Sequence, residues 1–235
     1  MARSEHDRRI AEMFDRVAPR YRLLNDVLSF RADRTWRLRA ARLVDLGAGE
    51  RALDVGTGTG DLAFDVLVRS HPTATVLGID ISPRMLGAAS DAARARGYRD
   101  RFTPVLANAE HLPFPPGSFD RVIAGFTVRN FGDRAAGLRE MRRVLRAGGR
   151  AVILELSTPP APFVRALYRL YFGRLAPWIA ALLGGDLAAY RYLPRSVAAF
   201  PGAATFAEDL RSAGFSRIRY ERLNLGIAAI HVGEA

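Results

Sequence analysis

Hydrophobic and polar positions change their spacing along the chain near residue 50. Before that point, residues 5–17 and 34–46 place apolar side chains at helical spacing, and residues 18–33 between them are predicted to be irregular. Beyond it, short apolar runs alternate with helical patterns. The predicted strands are RALDVG, TVLGID, FTPVLA, RVIAGF and GGRAVILEL, and the predicted helices cover residues 60–70, 83–96 and 134–146. Such alternation predicts a mostly parallel sheet with helices on both faces.

The last third of the chain departs from this alternation. Residues 158–204 carry aromatic residues, leucines, arginines and prolines, and their apolar positions recur at helical spacing, so we interpret them as a helical insertion. A helix at 205–213 and two closing strands, SRIRYERL and IAAIHVG, follow it. The prediction is one α/β domain with a Rossmann-like, seven-stranded sheet. Its predicted parts are a helical cap (1–49), a cofactor-binding core (50–157), the helical insertion (158–204) and a closing helix with two strands (205–235).

Composition narrows the class of protein. The chain has 235 residues, 49% of them hydrophobic, which is ample for a full core. It has no cysteine, which excludes disulfides, thiolate metal sites and cysteine nucleophiles and fits a reducing cytoplasm. The charged first residues do not resemble a signal peptide, and the longest uncharged apolar stretch, near LAPWIAALLGG, is too short to span a bilayer. We expect a cytoplasmic protein, either soluble or peripheral at the inner face of a membrane, without a metal site.

The formal net charge is +11, and every cationic side chain is an arginine. Because the arginines are scattered rather than clustered, composition bias accounts for them first. Contact with an anionic membrane surface and binding of nucleic acid are the two alternatives, in that order. No appended nucleic-acid-binding module is visible, so no nucleic-acid partner is expected.

The stretch ALDVGTGTGDL is the strongest local signal. Gly56, Gly58 and Gly60 turn the chain between a strand and a helix and let a ligand approach the backbone. Their spacing is G-x-G-x-G, whereas dinucleotide sites use G-x-G-x-x-G. Asp54 makes the turn acidic, which repels a pyrophosphate and suits a cation such as S-adenosylmethionine, with its ammonium and sulfonium. A tight strand–helix turn without a ligand is the alternative.

Two further polar residues follow the next strands. Asp80 ends the second strand, where an acid can accept both hydroxyls of a ribose; capping the helix that starts at Pro83 is its alternative role. Asn108 follows the third strand and carries a donor and an acceptor, which suits an adenine edge. Phe114 either walls the adenine or belongs to the core.

Together these residues resemble the class I S-adenosylmethionine-dependent methyltransferases. More narrowly, nearly the whole chain resembles the C-methyltransferases of menaquinone and ubiquinone biosynthesis. Four stretches carry the resemblance: YRLLNDVLSFRADRTW, FTVRNFGD, RVLRAGGRAVILELS and GIAAIHVG. The resemblance implies contacts to the methyl donor from Thr59, Asp80, Asn108 and Ala109, beside Asp54, Gly56 and Gly58 of the acidic turn.

The sequence also departs from that family's pattern. The first stretch usually contains Y-D-x-M-N and a later histidine, where this chain has Arg22, Leu24 and Asp33. The fourth-strand motif usually contains S-F-G-L-R-N, where this chain has Gly125 and Thr127. A serine contact to the donor found in some members is therefore absent, and the departures leave the choice of substrate within the family open.

The resemblance also implies a reaction. The family's substrate is a polyprenylated quinol that lacks one ring methyl, with demethylmenaquinol first and a benzoquinol of ubiquinone synthesis second. Arg129 is expected to stabilise the developing phenolate and Asn130 to fix the ring, while Tyr21 and Asn25 close over the site. As an alternative, Arg129 only ties the insertion to the sheet. The acceptor of the phenolic proton is left open. His231 lies in a family motif at the end of a closing strand, but a lone histidine there is more often structural, and a water held by Arg129 is the other candidate.

The insertion suits a prenyl tail that lies in a bilayer. Residues 162–184 combine apolar and aromatic side chains with arginines, which is typical of an element at an anionic interface. These side chains are Phe163, Leu167, Tyr171, Phe172, Trp178, Ile179 and Leu182, interspersed with Arg165, Arg169 and Arg174. A lid packed on the sheet is the alternative.

Overall fold

A computed structural model describes residues 4–175 and 187–235. Its centre is a seven-stranded sheet in the order β3-β2-β1-β4-β5-β7-β6. The strands are β1 Arg51–Val55, β2 Thr75–Asp80, β3 Phe102–Leu106, β4 Phe119–Gly125, β5 Leu145–Leu156, β6 Ser216–Leu223 and β7 Ala228–Glu234. The first five run parallel to one another, and β7 runs antiparallel between β5 and β6. The predicted fold class is confirmed.

Helices precede the sheet, join its strands and follow β5. They are α1 Glu5–Val17, α2 Tyr21–Leu28, α3 Ala32–Ala41, α4 Asp61–Leu67, α5 Pro83–Ala95, α6 Arg134–Val144, α7 Pro162–Leu170, α8 Leu187–Ala199 and α9 Ala203–Ser212. A π-helical turn, Tyr171–Leu175, continues α7. The division of the chain into cap, core, insertion and closing elements stays a prediction.

The prediction of an irregular segment at 18–33 was wrong, because α2 lies there. This helix has two turns, and only Leu24 and Leu28 are buried on it, so its apolar spacing is too short to stand out as a helical pattern. A short 3-10 turn, Ala18–Arg20, connects it to α1. The next helix, α3, starts at Ala32 and ends at Ala41, earlier at both ends than predicted.

The sheet separates two apolar layers, and successive residues of a strand enter opposite layers. On β5, Val152 and Leu154 pack with α3 and α4 side chains such as Trp36, whereas Ala151 and Ile153 belong to the other layer. Helices α6 and α9 supply the second layer with large buried residues, Leu138, Met141, Phe206 and Leu210 among them. The core therefore covers both faces, as a parallel sheet requires. Among the residues that the structure describes, no helix is both long and apolar enough to cross a bilayer.

Candidate active site

A cleft opens at the carboxyl ends of the parallel strands. The strand order reverses direction between β1 and β4, and ligands of open α/β sheets bind at such a point. Two adjoining hollows here share Gly56, Gly58 and Gly125, and we call them together the glycine cleft. Its first arm contains Asp80, Asn108 and Ala109, and its second arm contains Asp54, Thr59 and Asp61. The residues predicted to bind the methyl donor thus lie along one cleft.

The glycine turn shows why side chains are excluded from it. Gly56 has a φ of +65°, and a Cβ there would lie 2.0 Å from Oγ1 of Thr127. Gly58 has a φ of +55°, but a Cβ there would meet nothing within 4 Å. A methyl at Gly56 would therefore collide with the protein, whereas the space beside Gly58 is open to a ligand.

Asp54 forms a buried acidic floor in the second arm. Its Oδ2 accepts a hydrogen bond from the Thr57 hydroxyl at 2.7 Å, and the residue is 1% exposed. Burial raises the pKa of Asp54 to about 7; the Thr57 hydrogen bond opposes this rise, and the charge of Asp80 adds to it. A cationic ligand group nearby would favour the ionised carboxylate.

The Asp80 carboxylate binds backbone N–H groups and does not cap the following helix. Its two carboxylate oxygens accept hydrogen bonds from the N–H groups of Gly58 and Ser82, each at 2.9 Å. Burial raises the pKa of Asp80, and the backbone hydrogen bonds oppose the rise. The helix that starts at Pro83 is capped by Ser82, whose hydroxyl accepts from the N–H of Met85. The alternative role of Asp80 as the helix cap is thus wrong. A carboxylate has about four acceptor positions, so Asp80 retains capacity for ribose hydroxyls.

The first arm is covered by α1, which sequence reasoning missed. Nδ2 of Asn108 donates to Asp7 at 3.0 Å, and its Oδ1 accepts from the N–H of Glu110 at 2.9 Å. Asp7 also forms a reciprocal capping pair with Ser4 at the start of α1. The capping pattern predicts where α1 begins, but no local signal says that the helix lies over this cleft.

Phe114 belongs to the core. Its ring packs edge to face on Phe119, with centroids 5.2 Å apart, and it does not line the glycine cleft. Ile10 and Phe14 of α1, together with Met85, supply apolar contacts around the first arm instead.

The second arm carries paired charges. Thr59 donates its hydroxyl hydrogen to Oδ2 of Asp61 at 2.9 Å, and Arg22 contacts Oδ1 of the same carboxylate at 2.6 Å. Arg37 pairs with Asp33 and lies 3.5 Å from Asp65. The sequence marked Arg22 and Asp33 only as departures from a family pattern.

An apolar cavity of about 570 Å³ lies beside the cleft. Its walls come from α2, α3, α7 and α8, from the end of β5 and from the segments that follow β4 and β6. Aromatic side chains make up much of the lining: Tyr21, Phe30, Trp36, Phe126, Tyr168 and Tyr171. This size and composition suit a ring compound with an apolar substituent.

Tyr21 and Phe126 connect the cleft to the cavity. Among the described residues, these two line both arms of the cleft and the apolar cavity. Burial raises the pKa of Tyr21, while a hydrogen bond with Asn25 lowers it. Phe126 has a φ of +58°, which is uncommon for a residue with a side chain, and its ring centroid lies 6.2 Å from that of Trp36. The strained residue therefore stands where the two spaces meet.

Arg129 and Asn130 are adjacent in sequence but line different spaces. Arg129 lines the apolar cavity, and its Nη1 donates to Glu155 of β5 at 2.6 Å and to the carbonyl of Phe126. Asn130 lines the first arm, where its Oδ1 accepts from the Tyr192 hydroxyl at 3.1 Å. His6 lies 2.9 Å from the Asn130 carbonyl and donates to it through Nε2.

The Arg129–Glu155 pair is buried. The two side chains are 8% and 1% exposed. Burial opposes the charge of Arg129, but the Glu155 carboxylate offsets burial, so the pKa of Arg129 is raised. Among the described residues, the hydrogen bonds of Arg129 join the segment after β4 to β5. The alternative role of Arg129, a tie between the insertion and the sheet, stays a prediction.

His231 has a structural environment. Its Nε2 donates to the carbonyl of Ala203 at 2.8 Å, and its ring packs between Phe206 and Tyr220. Burial lowers the pKa of His231 to about 4, so the ring is neutral near pH 7. It lines neither the glycine cleft nor the apolar cavity.

A seven-stranded sheet of this order, a glycine turn after β1 and an acid at the end of β2 are the features of the class I S-adenosylmethionine-dependent methyltransferase fold. The sequence matches the ubiE/COQ5 methyltransferase family over residues 2–235, and the chain belongs to that family. The residues fit the methyl donor, because Gly58 leaves open space and the carboxylates of buried Asp54 and half-buried Asp80 line the cleft.

Relatives of known name agree with this assignment. A demethylmenaquinone methyltransferase of Thermus thermophilus is 49% identical, with 94% of this chain and 99% of the relative covered. One from Deinococcus radiodurans is 45% identical, with 96% and 92% covered. A ubiquinone/menaquinone biosynthesis C-methyltransferase of Geotalea uraniireducens is 41% identical, with 98% of each chain covered.

Solved structures share the fold at low identity. A possible histamine N-methyltransferase of Thermotoga maritima has a TM-score of 0.68 at 19% identity, with 95% of this chain and 98% of that one covered. The [4+2]-cyclase SpnF has a TM-score of 0.72 at 20% identity, with 97% and 96% covered. At such identities the likeness concerns the fold alone.

Proposed function

We propose that this methyltransferase adds a methyl group to a ring carbon of demethylmenaquinol, a naphthoquinol with a polyprenyl tail. The observation that carries the proposal is the junction at Tyr21 and Phe126, where a polar cleft for the donor meets an aromatic cavity of about 570 Å³. A ring at this junction would lie next to the donor site and be shielded from water. Methyl transfer depends on such alignment and exclusion of water more than on a strong base.

The glycine cleft is proposed to bind S-adenosylmethionine along its length. Asp80 would accept hydrogen bonds from the ribose hydroxyls, and Asn108 and Ala109 would border the adenine. Asp54 and Thr59 would lie at the amino-acid end, with Gly56 and Gly58 between the ends. When bound, this molecule supplies an electrophilic methyl group on a sulfonium.

Arg129 is proposed to bind the phenolic oxygen as that oxygen loses its proton. The guanidinium lines the cavity, and its Nε–H is buried without a hydrogen-bond partner among the described residues. Glu155 neutralises part of its charge but also fixes its position. Asn130 lies on the donor side of the junction, so we propose that it orients the ring from there, held by the hydroxyl of Tyr192. Tyr21 would close the junction from α2.

The prenyl tail is proposed to reach a membrane beside α7. Val164, Leu167 and Tyr168 of this helix line the cavity, while Phe163 is 74% exposed. Arg169 and Arg174 are also exposed there and would contact anionic lipid head groups. In this proposal α7 serves both as a lid over the cavity and as an element at the membrane interface, the two roles between which the sequence did not decide. The predicted interfacial residues Trp178, Ile179 and Leu182 lie outside the described residues.

The names of the 49% and 45% identical relatives, both demethylmenaquinone methyltransferases, favour the naphthoquinol over the benzoquinol. A nucleic-acid substrate is not favoured, because no relative reported above carries a name of that kind. Quinones extracted from cells with and without the protein test the choice. We expect loss of methylated menaquinone and accumulation of its demethyl precursor. Unchanged menaquinone with a loss of methylated ubiquinone would instead point to the benzoquinol.

A further inference from the structure

An exposed ion pair crosses the second arm of the glycine cleft. Arg22, on α2, directs Nη2 to Oδ1 of Asp61 at 2.6 Å and Nε to Oδ2 at 3.4 Å. The Arg22 side chain is 49% exposed, whereas that of Asp61 is 17% exposed. Both residues line the second arm. The pair therefore joins the helical segment before the sheet to the glycine turn across the cleft.

The other cation of this arm is already engaged. Arg37 lies between Asp33 and Asp65, and its side chain is only 15% exposed. Removing it from Asp33 would leave a buried carboxylate unpaired, which is costly. The exposed pair of Arg22 and Asp61 contributes little stability, so its separation costs little. Of the two arginines that line the second arm, Arg22 is thus the one that can change partners cheaply.

The acids of the arm also differ in their surroundings. Asp54 lies at the buried floor, whereas Asp61 sits nearer the surface and holds the hydroxyl of Thr59 at 2.9 Å. Arg96 lies 3.6 Å from Asp61, so this carboxylate keeps a cationic neighbour when Arg22 moves away. When the Arg22–Asp61 pair is opened, it offers one positive and one negative group. A zwitterion with one carboxylate and one ammonium can pair with both.

We propose that the amino-acid head of the methyl donor inserts into the Arg22–Asp61 ion pair. Arg22 then binds the carboxylate of the head, and Asp61, supported by Thr59, binds its ammonium. One exposed ion pair is replaced by two, and α2 stays linked to the glycine turn through the ligand. Since Tyr21 precedes Arg22 on α2, donor binding also fixes the tyrosine at the junction with the apolar cavity. The inference rests on the proposed use of the glycine cleft for the donor.

Calorimetry with two ligands tests the assignment without an activity measurement. S-adenosylhomocysteine contains the amino-acid head, and 5′-methylthioadenosine has the adenosine and the sulfur but lacks that head. Replacing Arg22 by Gln should weaken S-adenosylhomocysteine about tenfold, the scale of one exposed charge-assisted hydrogen bond. Asp61→Asn should have a similar effect. Both variants should bind 5′-methylthioadenosine like the unmodified protein, which also shows that they are folded.

Arg39→Gln is the matched control. Arg39 forms an ion pair with Glu221 in which the side chains are 51% and 45% exposed, and it lines no part of the cleft. Its loss should leave both affinities unchanged. If the Arg22→Gln variant bound S-adenosylhomocysteine as tightly as the unmodified protein, the assignment would be overturned. Equal loss of affinity for both ligands would also overturn it, because Arg22 would then only hold α2 over the cleft. If the unmodified protein bound neither ligand, the proposal that the glycine cleft binds the donor would be refuted as well.

Discussion

Variants of Arg129 can distinguish a structural role of this residue from a role in the reaction. Its guanidinium and the Glu155 carboxylate are both buried, and removal of one partner of such a pair typically costs about 3–5 kcal/mol. Arg129→Met should therefore destabilise the protein on this scale. For a domain of this length, that corresponds to a fall in melting temperature of roughly 6–20 °C.

A second change should restore stability without activity. Arg129→Met combined with Glu155→Gln leaves no buried charge unpaired. The Glu155 carboxylate also accepts hydrogen bonds from the backbone N–H groups of Arg129 and Leu156, and the amide oxygen of Gln can still accept one of them. We expect this double variant to recover most of the melting temperature. Its turnover should stay about a hundredfold below that of the unmodified enzyme, the scale for loss of a donor to a developing oxyanion.

Arg129→Lys supplies an intermediate case. Lysine keeps a charge for Glu155 but loses the planar group that contacts Glu155, the Phe126 carbonyl and the cavity together. Its melting temperature should change little, and its turnover should fall about as far as that of the double variant. Thermal unfolding, steady-state kinetics and binding of S-adenosylhomocysteine are measured on each purified variant. A double variant that regains both stability and turnover would refute the role of Arg129 in the reaction.

Three further predictions concern the donor and the membrane. Asp80→Ala should weaken S-adenosylmethionine at least tenfold, about 1.4 kcal/mol, and unchanged affinity by calorimetry would remove Asp80 from the donor site. Because the pKa of Asp54 is about 7 and a cationic ligand favours the ionised carboxylate, the affinity for the donor should rise with pH from about 6 to 8. The Asp54→Asn variant should not show this rise, and a pH profile identical to that of the unmodified protein would contradict the role of Asp54. Binding to anionic vesicles should weaken with salt and when Arg165, Arg169 and Arg174 are replaced together; equal sedimentation with neutral vesicles would speak against an electrostatic contact.

The fold could be predicted where buried runs are long enough to show their period. Strands β2 and β6 were predicted with their observed bounds, because each is a short run between turn residues. The start of β5 was missed, since Leu145 and Arg146 continue the helical pattern of α6. Local patterns thus locate the elements better than their ends.

The site could be predicted only in part. Strand ends brought Asp54, Asp80 and Asn108 to one cleft, because the carboxyl ends of parallel strands share an edge. Contacts between distant segments could not be predicted in this way. Asp7 lies 101 residues before its partner Asn108, and Glu155 lies in a strand whose sequence shows only an isolated acid among apolar residues. Tertiary packing decides both.

Transfer of a labelled methyl group tests the central claim most directly. Purified protein is incubated with S-adenosylmethionine that carries a deuterated methyl and with an equal mixture of prenylated demethylnaphthoquinol and methoxybenzoquinol lacking the ring methyl. Mass spectrometry then locates the label. The account predicts a labelled methyl on the naphthoquinol ring, and a loss of product when the donor site is altered by Asp80→Ala. Label on the benzoquinol alone, or no labelled quinol from protein that binds the donor, would contradict it.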